Sequence, residues 1–229
     1  MIAAAIGLPP PIREGDRLNS TDFLLRWDAM PSLKQAELIG GVVFLPSPVS
    51  LIHSDVHGDI YPWLWLYKER TPGSHCGIDC TWMMGPKDVP QPDVFLRILP
   101  EYGGQSRVEG KYPAGAPELI AEVSGSSLSR DLGIKLNLYR RMGVCEYLTI
   151  VLDTEQVIWR QLVRGRYREI APDDDGLLRS RIFPGLWLDP AALWDPKLSI
   201  RTAVEAGVRS AEHAAFVQTL HQRGGLRDR

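Results

Sequence analysis

Cysteine, net charge and long apolar runs are all scarce in this chain of 229 residues, and each scarcity removes a class of answer. The three thiols, Cys76, Cys80 and Cys145, are an odd number and make no disulfide framework. His75, Cys76 and Cys80 form the one cluster with a zinc-like composition, but a zinc site takes four ligands and no second pair accompanies them. Residues 76, 78 and 80 instead share one face of an expected strand over 76–84, because strand side chains alternate. A net charge of −2 supplies no global basic field, so a polyanion must be met by local patches. No eighteen consecutive apolar residues occur, and residues 1–11 carry neither the charged start nor the apolar stretch of a signal peptide. The expectation is therefore a cytoplasmic protein with no membrane partner. Internal repeats are missing as well.

What is present suits one sizeable globular domain: hydrophobic residues make up 44% of the chain. Residues 1–17 read as an irregular Ala-, Gly- and Pro-rich segment, 18–190 as the main domain and 191–229 as a helical tail. Ser20 and Asp22 offer an N-cap and a first-turn acid for a helix to about Trp27. The run from Glu37 to Leu45 predicts a strand interrupted by a turn or bulge at Gly40 and Gly41. Ile52, Val56, Ile60 and Leu64 form the stripe of a helix over 51–67, with Pro62 as a kink or break. Further strands are expected over 93–99, 118–123, 146–152 and 157–163, the last turning back at Arg166 and Tyr167. Between Leu99 and Pro117 lies a long polar connection. Ser129 should cap a helix that ends at Met142 before Gly143, with Leu132, Leu136 and Tyr139 inward. The three aspartates at 173–175 suit a solvated turn, since they lack the alternating ligands of a calcium loop. Ser210 should cap a terminal helix placing Ala214, Val217 and Leu220 on one side. The pattern is α/β, a mixed β-sheet flanked by helices.

Chemistry concentrates in three places: Asp93 after Gln91-Pro92, Glu122 inside the apolar run Leu119–Val123, and Lys135 in the following helical stretch. A carboxylate in a buried strand is costly unless paired or metal-bound, so Glu122 either faces water, pairs with an arginine or holds a metal. Two acids and a lysine are the parts of a site that binds a divalent cation and activates water.

Taken in order, Glu37-Leu-Ile-Gly-Gly, His53, Pro92-Asp93-Val94, Glu122-Val-Ser, Asp131-Leu-Gly-Ile-Lys135, Tyr139, Gly143-Val-Cys-Glu-Tyr147 and Asp153 resemble the Uma2 family, a branch of the PD-(D/E)XK nucleases. The resemblance spans about residues 18–190. It implies a restriction-endonuclease-like core in which Asp93, Glu122 and the Val123 carbonyl hold Mg2+, with Mn2+ as a substitute. It also implies hydrolysis of DNA phosphodiester bonds by water that a lysine helps to orient. The superfamily's lysine usually stands two positions after the glutamate, where this chain has Ser124; Lys135, thirteen residues on, would take its role. Glu37 would supply a further catalytic carboxylate or else face solvent, and His53 and Ser124 are candidate substrate contacts. A helix-surface position is the other reading of His53, and applies to His57 too; Asp131 is expected to complement the helix dipole and Tyr139 to fill the core. Lys68, Arg70, Arg140, Arg141, Arg160, Arg164, Arg166 and Arg168 are local cations for DNA phosphates, and a homodimer would suit a cut in both strands. The alternative is a nuclease-derived module that binds nucleic acid or protein and no longer cuts.

Overall fold

A computed structural model describes residues 9–225. Its first helix, α1 (Ser20–Asp28), is capped by Asn19, whose side chain accepts the Asp22 amide at 2.8 Å, one residue before the expected Ser20. A hairpin follows, β1 (Glu37–Ile39) against β2 (Val42–Phe44), turning at Gly40 and Gly41 with φ of 59° and 81°. Helix α2 (Leu51–Glu69) is uninterrupted at Pro62, so the expected kink or break is not a boundary. β3 (Ser74–Ile78) then pairs with β4 (Val94–Ile98), and the expected strand over 76–84 stops at Ile78. Asp79 takes a left-handed φ of 48°, which turns the chain out of the sheet and puts Cys80 beyond the strand.

The connection after β4 has structure of its own: a 3-10 turn at Pro100–Tyr102 and a hairpin of β5 (Arg107–Glu109) with β6 (Tyr112–Ala114). After β7 (Leu119–Ser124) comes one continuous helical run: α3 (Leu128–Arg130), a π-helical turn (Asp131–Lys135) and α4 (Leu136–Met142). Gly143, at φ 85°, ends it. β8 (Glu146–Val151), β9 (Gln156–Val163) and β10 (Arg166–Glu169) complete the main sheet. A two-stranded ladder of β11 (Leu178–Arg179) with β12 (Trp187–Leu188) leads through a 3-10 turn at Pro190–Leu193 to α5 (Ile200–Gly207) and α6 (Ala211–Gly225). Ser210 accepts the His213 amide, as a cap for α6 should. The inner side of α6 is nevertheless His213 and Leu220, with Phe216 and Val217 half-buried and Ala214 exposed.

The main sheet runs β10-β9-β8-β7-β4-β3, with β7 and β8 parallel and every other neighbouring pair antiparallel. Period-two alternation sorts its two faces. Val94, Leu96, Ile98, Leu119, Ala121, Val123, Leu148 and Ile150 point to a core completed by Val56, Ile60, Trp63 and Leu64 of α2 and by Ile200, Val204 and Leu220 of the last two helices. The C-terminal helices thus cover this face of the sheet. On the other face Phe95, Ile120 and Tyr147 pack with Leu138 and Tyr139 of α4. Among the described residues no helix is long and apolar enough to cross a membrane.

Candidate functional site

Glu122 belongs to the α4 face, being even-numbered like Ile120, and it is almost wholly buried. Because Val94 pairs with Ala121 in antiparallel register, Asp93 arrives beside Glu122, and its Oδ2 accepts the Val123 amide at 2.7 Å. Glu122 on β7 and Asp93, the loop residue that leads into β4, are thereby set side by side.

The helical run brings the cation. Leu132 and Leu136 are only half-buried and Ile134 is exposed, whereas Asp131, Lys135, Leu138 and Tyr139 turn inward. The expected inner face of Leu132, Leu136 and Tyr139 is therefore displaced, and the π-helical turn is the local cause, since a five-residue ring shifts the phase of everything around it. Lys135 Nζ lies 2.9 Å from Glu122 Oε1, 3.0 Å from Glu37 Oε1 and 3.8 Å from Asp131 Oδ1. The Tyr139 hydroxyl donates to the same Glu122 Oε1 at 2.7 Å. Tyr139 is core, as expected, but it also touches the acid. Asp131 is buried as well, not a surface complement to the dipole, and its Oδ2 accepts the Ser124 and Ser127 hydroxyls at 2.8 and 2.5 Å. Ser124 is fully buried and committed to Asp131, so its side chain is not available as a substrate contact.

Glu37 does not face solvent: its Oε1 also accepts the Gln91 amide at 2.9 Å, tying β1 to the loop that carries Asp93. Histidines from the first two turns of α2 approach Asp93 from the other side. His53 Nε2 stands 3.8 Å from Asp93 Oδ2, and His57 Nε2 lies 3.0 Å from the Asp93 carbonyl, which can only accept and so requires a proton on that nitrogen.

These side chains line a cleft of about 390 Å³, bounded by the β1–β2 hairpin, the segment 46–50, the start of α2, the ends of β4 and β7, and the turn 125–130. Its charge is unbalanced. Four carboxyl groups line it, Glu37, Asp79, Asp93 and Glu122, with Asp131 buried behind Lys135, and they meet two permanently cationic side chains, Lys135 and Arg130. Burial pushes Asp93 above the usual carboxylate range, against the pull of Lys135, the Val123 amide and the two histidines. Burial raises Glu122 further, Lys135 opposing and Asp93, Asp131 and Glu37 reinforcing. Burial works against the Lys135 charge too, but Glu122, Glu37, Asp131 and Asp93 outweigh it and hold the ammonium well above its ordinary range. The acids therefore need more positive charge than Lys135 provides.

The donor set suits a hard cation. Oxygen ligands are what Mg2+ takes, and it keeps waters and needs few protein groups. Among the described residues no three His, Cys, Asp or Glu side chains converge as a ready-made cage, so the protein's share would be two carboxylates and a carbonyl. Glu122 Oε2 makes no hydrogen bond among the described residues, and Asp131 Oδ1 is buried without one.

Of the other cations named from the sequence, Arg141 pairs with Asp88 at 2.8 Å, Arg140 donates to the Gly165 carbonyl, and Arg160 reaches Thr149 and Glu169. Those cations, and likewise Lys68, Arg70, Arg164, Arg166 and Arg168, do not line the cleft. Arg130 does, and nothing in its sequence context singles it out.

The profile of the Uma2 family, described as "Putative restriction endonuclease", matches residues 21–191. The chain belongs to the Uma2 family. One solved structure, that of a putative nuclease belonging to DUF820 from Anabaena variabilis ATCC 29413, aligns with this Uma2 protein at a TM-score of 0.52 and 14% identity. The alignment covers 78% of this chain and 96% of that one, and at such identity it speaks for the fold. No curated protein matches. Fold and family are those of nuclease-like proteins.

Proposed function

We propose that this Uma2 protein is a Mg2+-dependent endonuclease that hydrolyses phosphodiester bonds of DNA in the cleft described above. The observation that carries the reading is that Asp93, at the entry to β4, stands beside Glu122 on β7, next to a lysine whose ammonium is buried among acids. Asp93, Glu122 and the Val123 carbonyl would hold Mg2+, for which Mn2+ is the natural substitute. When bound, such an ion lowers the pKa of an attacking water and stabilises charge on the phosphate.

The chain's own groups prepare that chemistry. The Val123 amide fixes one oxygen of Asp93. Lys135 and Tyr139 occupy Oε1 of Glu122 and leave Oε2 as its free ligand atom. Lys135 sits among Glu122, Glu37 and Asp131, where its ammonium would orient a water beside the acids and offset their charge as a phosphate arrives. His53, 3.8 Å from Asp93, stands where a proton or a phosphate oxygen would pass.

Calorimetric titration of Mg2+ and Mn2+ into the wild type and the Asp93→Ala, Glu122→Ala double variant, with plasmid DNA as the turnover readout, tests the reading. Binding and cutting, both lost in the variant, are expected. Wild-type protein that binds no metal even with DNA present would overturn it in favour of a module that only binds nucleic acid or protein. A homodimer accompanies the proposal, because two sites cut two strands; a monomer by light scattering at micromolar concentration would remove it.

A further inference from the structure

We infer that Arg130 is the phosphate clamp of this cleft, a guanidinium parked on the Phe44 ring that takes a phosphate of the bound strand. The inference rests on the nuclease reading and adds the residue that grips the substrate. Its starting point is a shortage. Of the two permanently cationic side chains lining the cleft, Lys135 is buried and committed to Glu122 and Glu37, with Asp131 at 3.8 Å. It therefore has little left for a substrate. A polyanionic strand must still approach a pocket holding four carboxyl groups, and some cation has to attract it.

Arg130 has the required features. Its guanidinium carbon lies 4.7 Å from the centroid of Phe44, the geometry of a cation resting on an aromatic face. Its Nη1 is 3.8 Å from Glu37 Oε2, close enough for attraction and too far for a hydrogen bond. Among the described residues no hydrogen bond engages its side chain, which is 24% exposed. Five N–H donors on a planar fork are thus held in place by a ring and a distant carboxylate, with their directional bonding unused. That fork matches phosphate oxygens in a two-point contact that a lysine cannot reproduce. Phe44 and Arg130 come from β2 and α3, on the side of the cleft next to Glu37, so a phosphate on Arg130 would keep its strand beside the acids. A platform on the ring reduces the side-chain freedom lost on binding, which is the usual cost of using a long cation.

The test separates grip from chemistry. Binding of a fluorescein-labelled DNA duplex is followed by anisotropy between 50 and 300 mM salt, with all variants in an Asp93→Asn background so that no strand is cut. Arg130→Ala should weaken binding about tenfold at the lowest salt and reduce the salt slope by about 0.9, the value for one lost phosphate contact. Arg130→Lys should restore the slope without the affinity, since the charge returns and the fork does not. Phe44→Leu should lower affinity with the slope retained. A thermal melt of each variant within a few degrees of the parent excludes misfolding as the cause. Affinity and slope unchanged in Arg130→Ala would overturn the clamp and leave the nuclease reading standing. A parent that binds no duplex at 50 mM salt, joined to a wild type that cuts no plasmid, would overturn both.

Discussion

Glu122 and Glu146 are both buried glutamates, on the adjacent parallel strands β7 and β8, yet the structure uses them in opposite ways. They lie on opposite faces of the sheet, since Glu146 is in register with Leu119 and Glu122 with Thr149. Every partner of Glu146 is a neutral donor: the Ser180 hydroxyl at 2.7 Å, the Arg181 and Ile182 amides at 2.6 and 3.2 Å, and the Trp159 indole at 3.1 Å. It closes the loop 180–183 onto the sheet, and both of its oxygens are occupied. Glu122 has a cation, a phenol and three other acids around it, and one oxygen is free toward a cleft. A buried carboxylate with all its lone pairs met by neutral donors is a structural brace. One that shares a single ammonium with other acids has the surroundings that the proposed metal site requires.

The sharpest way to break this comparison is to remove both of the acids proposed to hold metal. Asp93→Ala with Glu122→Ala should take DNA cleavage to background while the fold survives, because relief of carboxylate repulsion offsets the lost contacts; a plasmid assay beside a urea melt reads both. Glu146→Ala should do the reverse. It removes the acceptor of two buried donors, the Ser180 hydroxyl and the Trp159 indole, and of two part-buried amides, for a cost of about 3–5 kcal/mol in urea unfolding, with metal binding at the cleft unchanged in whatever fraction stays folded.

A gentler test uses pH. Burial pushes Glu146 up to about 7 despite the donations from Ser180, Arg181, Ile182 and Trp159, against an ordinary value of 4.5. The native state then holds this proton in a range where the unfolded chain has released it, so stability falls as pH rises from 4.5 to 7 and the loss persists above. Its size is about 3 kcal/mol. Urea midpoints measured at pH 5 and pH 8 should show the decline, and Glu146→Gln should flatten that part of it; a slope unaltered by the substitution would refute the assignment. The smallest expected effect belongs to Tyr139→Phe, which deletes one hydrogen bond to Glu122 and keeps the ring. About 1–2 kcal/mol of stability and roughly tenfold in Mg2+ affinity should be lost, read by thermal melt and calorimetry.

Much of this architecture was legible in the chain. Of the α2 stripe, Val56, Ile60 and Leu64 are buried as their spacing required, while Ile52 in the first turn is exposed, and the run around Glu122 is a fully buried strand. Glu122 could be singled out because a carboxylate in an apolar run is conspicuous, and Asp93 and Lys135 because the order of motifs around them resembles the family's. Glu146 opens a strand just as apolar, and nothing local distinguished the two glutamates, because their partners come from residues 13 to 36 positions away. Asp131 and Lys135 break the hydrophobic period of their helix, which pointed to Leu132 and Leu136 as its inner face. Functional sites are where such local rules fail. Two expectations failed locally: the helix begins at Leu128 after Ser127, so Ser129 lies inside it, and a left-handed Asp79 ends the strand expected over 76–84.

By itself, then, the sequence determined the order of elements, the apolar faces and the presence of isolated acids in apolar surroundings, because those follow from periodicities of two and 3.6 residues. The convergence of Glu37, Asp93, Glu122, Asp131 and Lys135 was decided by antiparallel register between β4 and β7 and by the phase of one helical turn. So was the difference between an acid met on every side by neutral donors and an acid that shares one ammonium with other acids. Both depend on which groups, remote in sequence, come within 3 Å, and no local pattern encodes that distance.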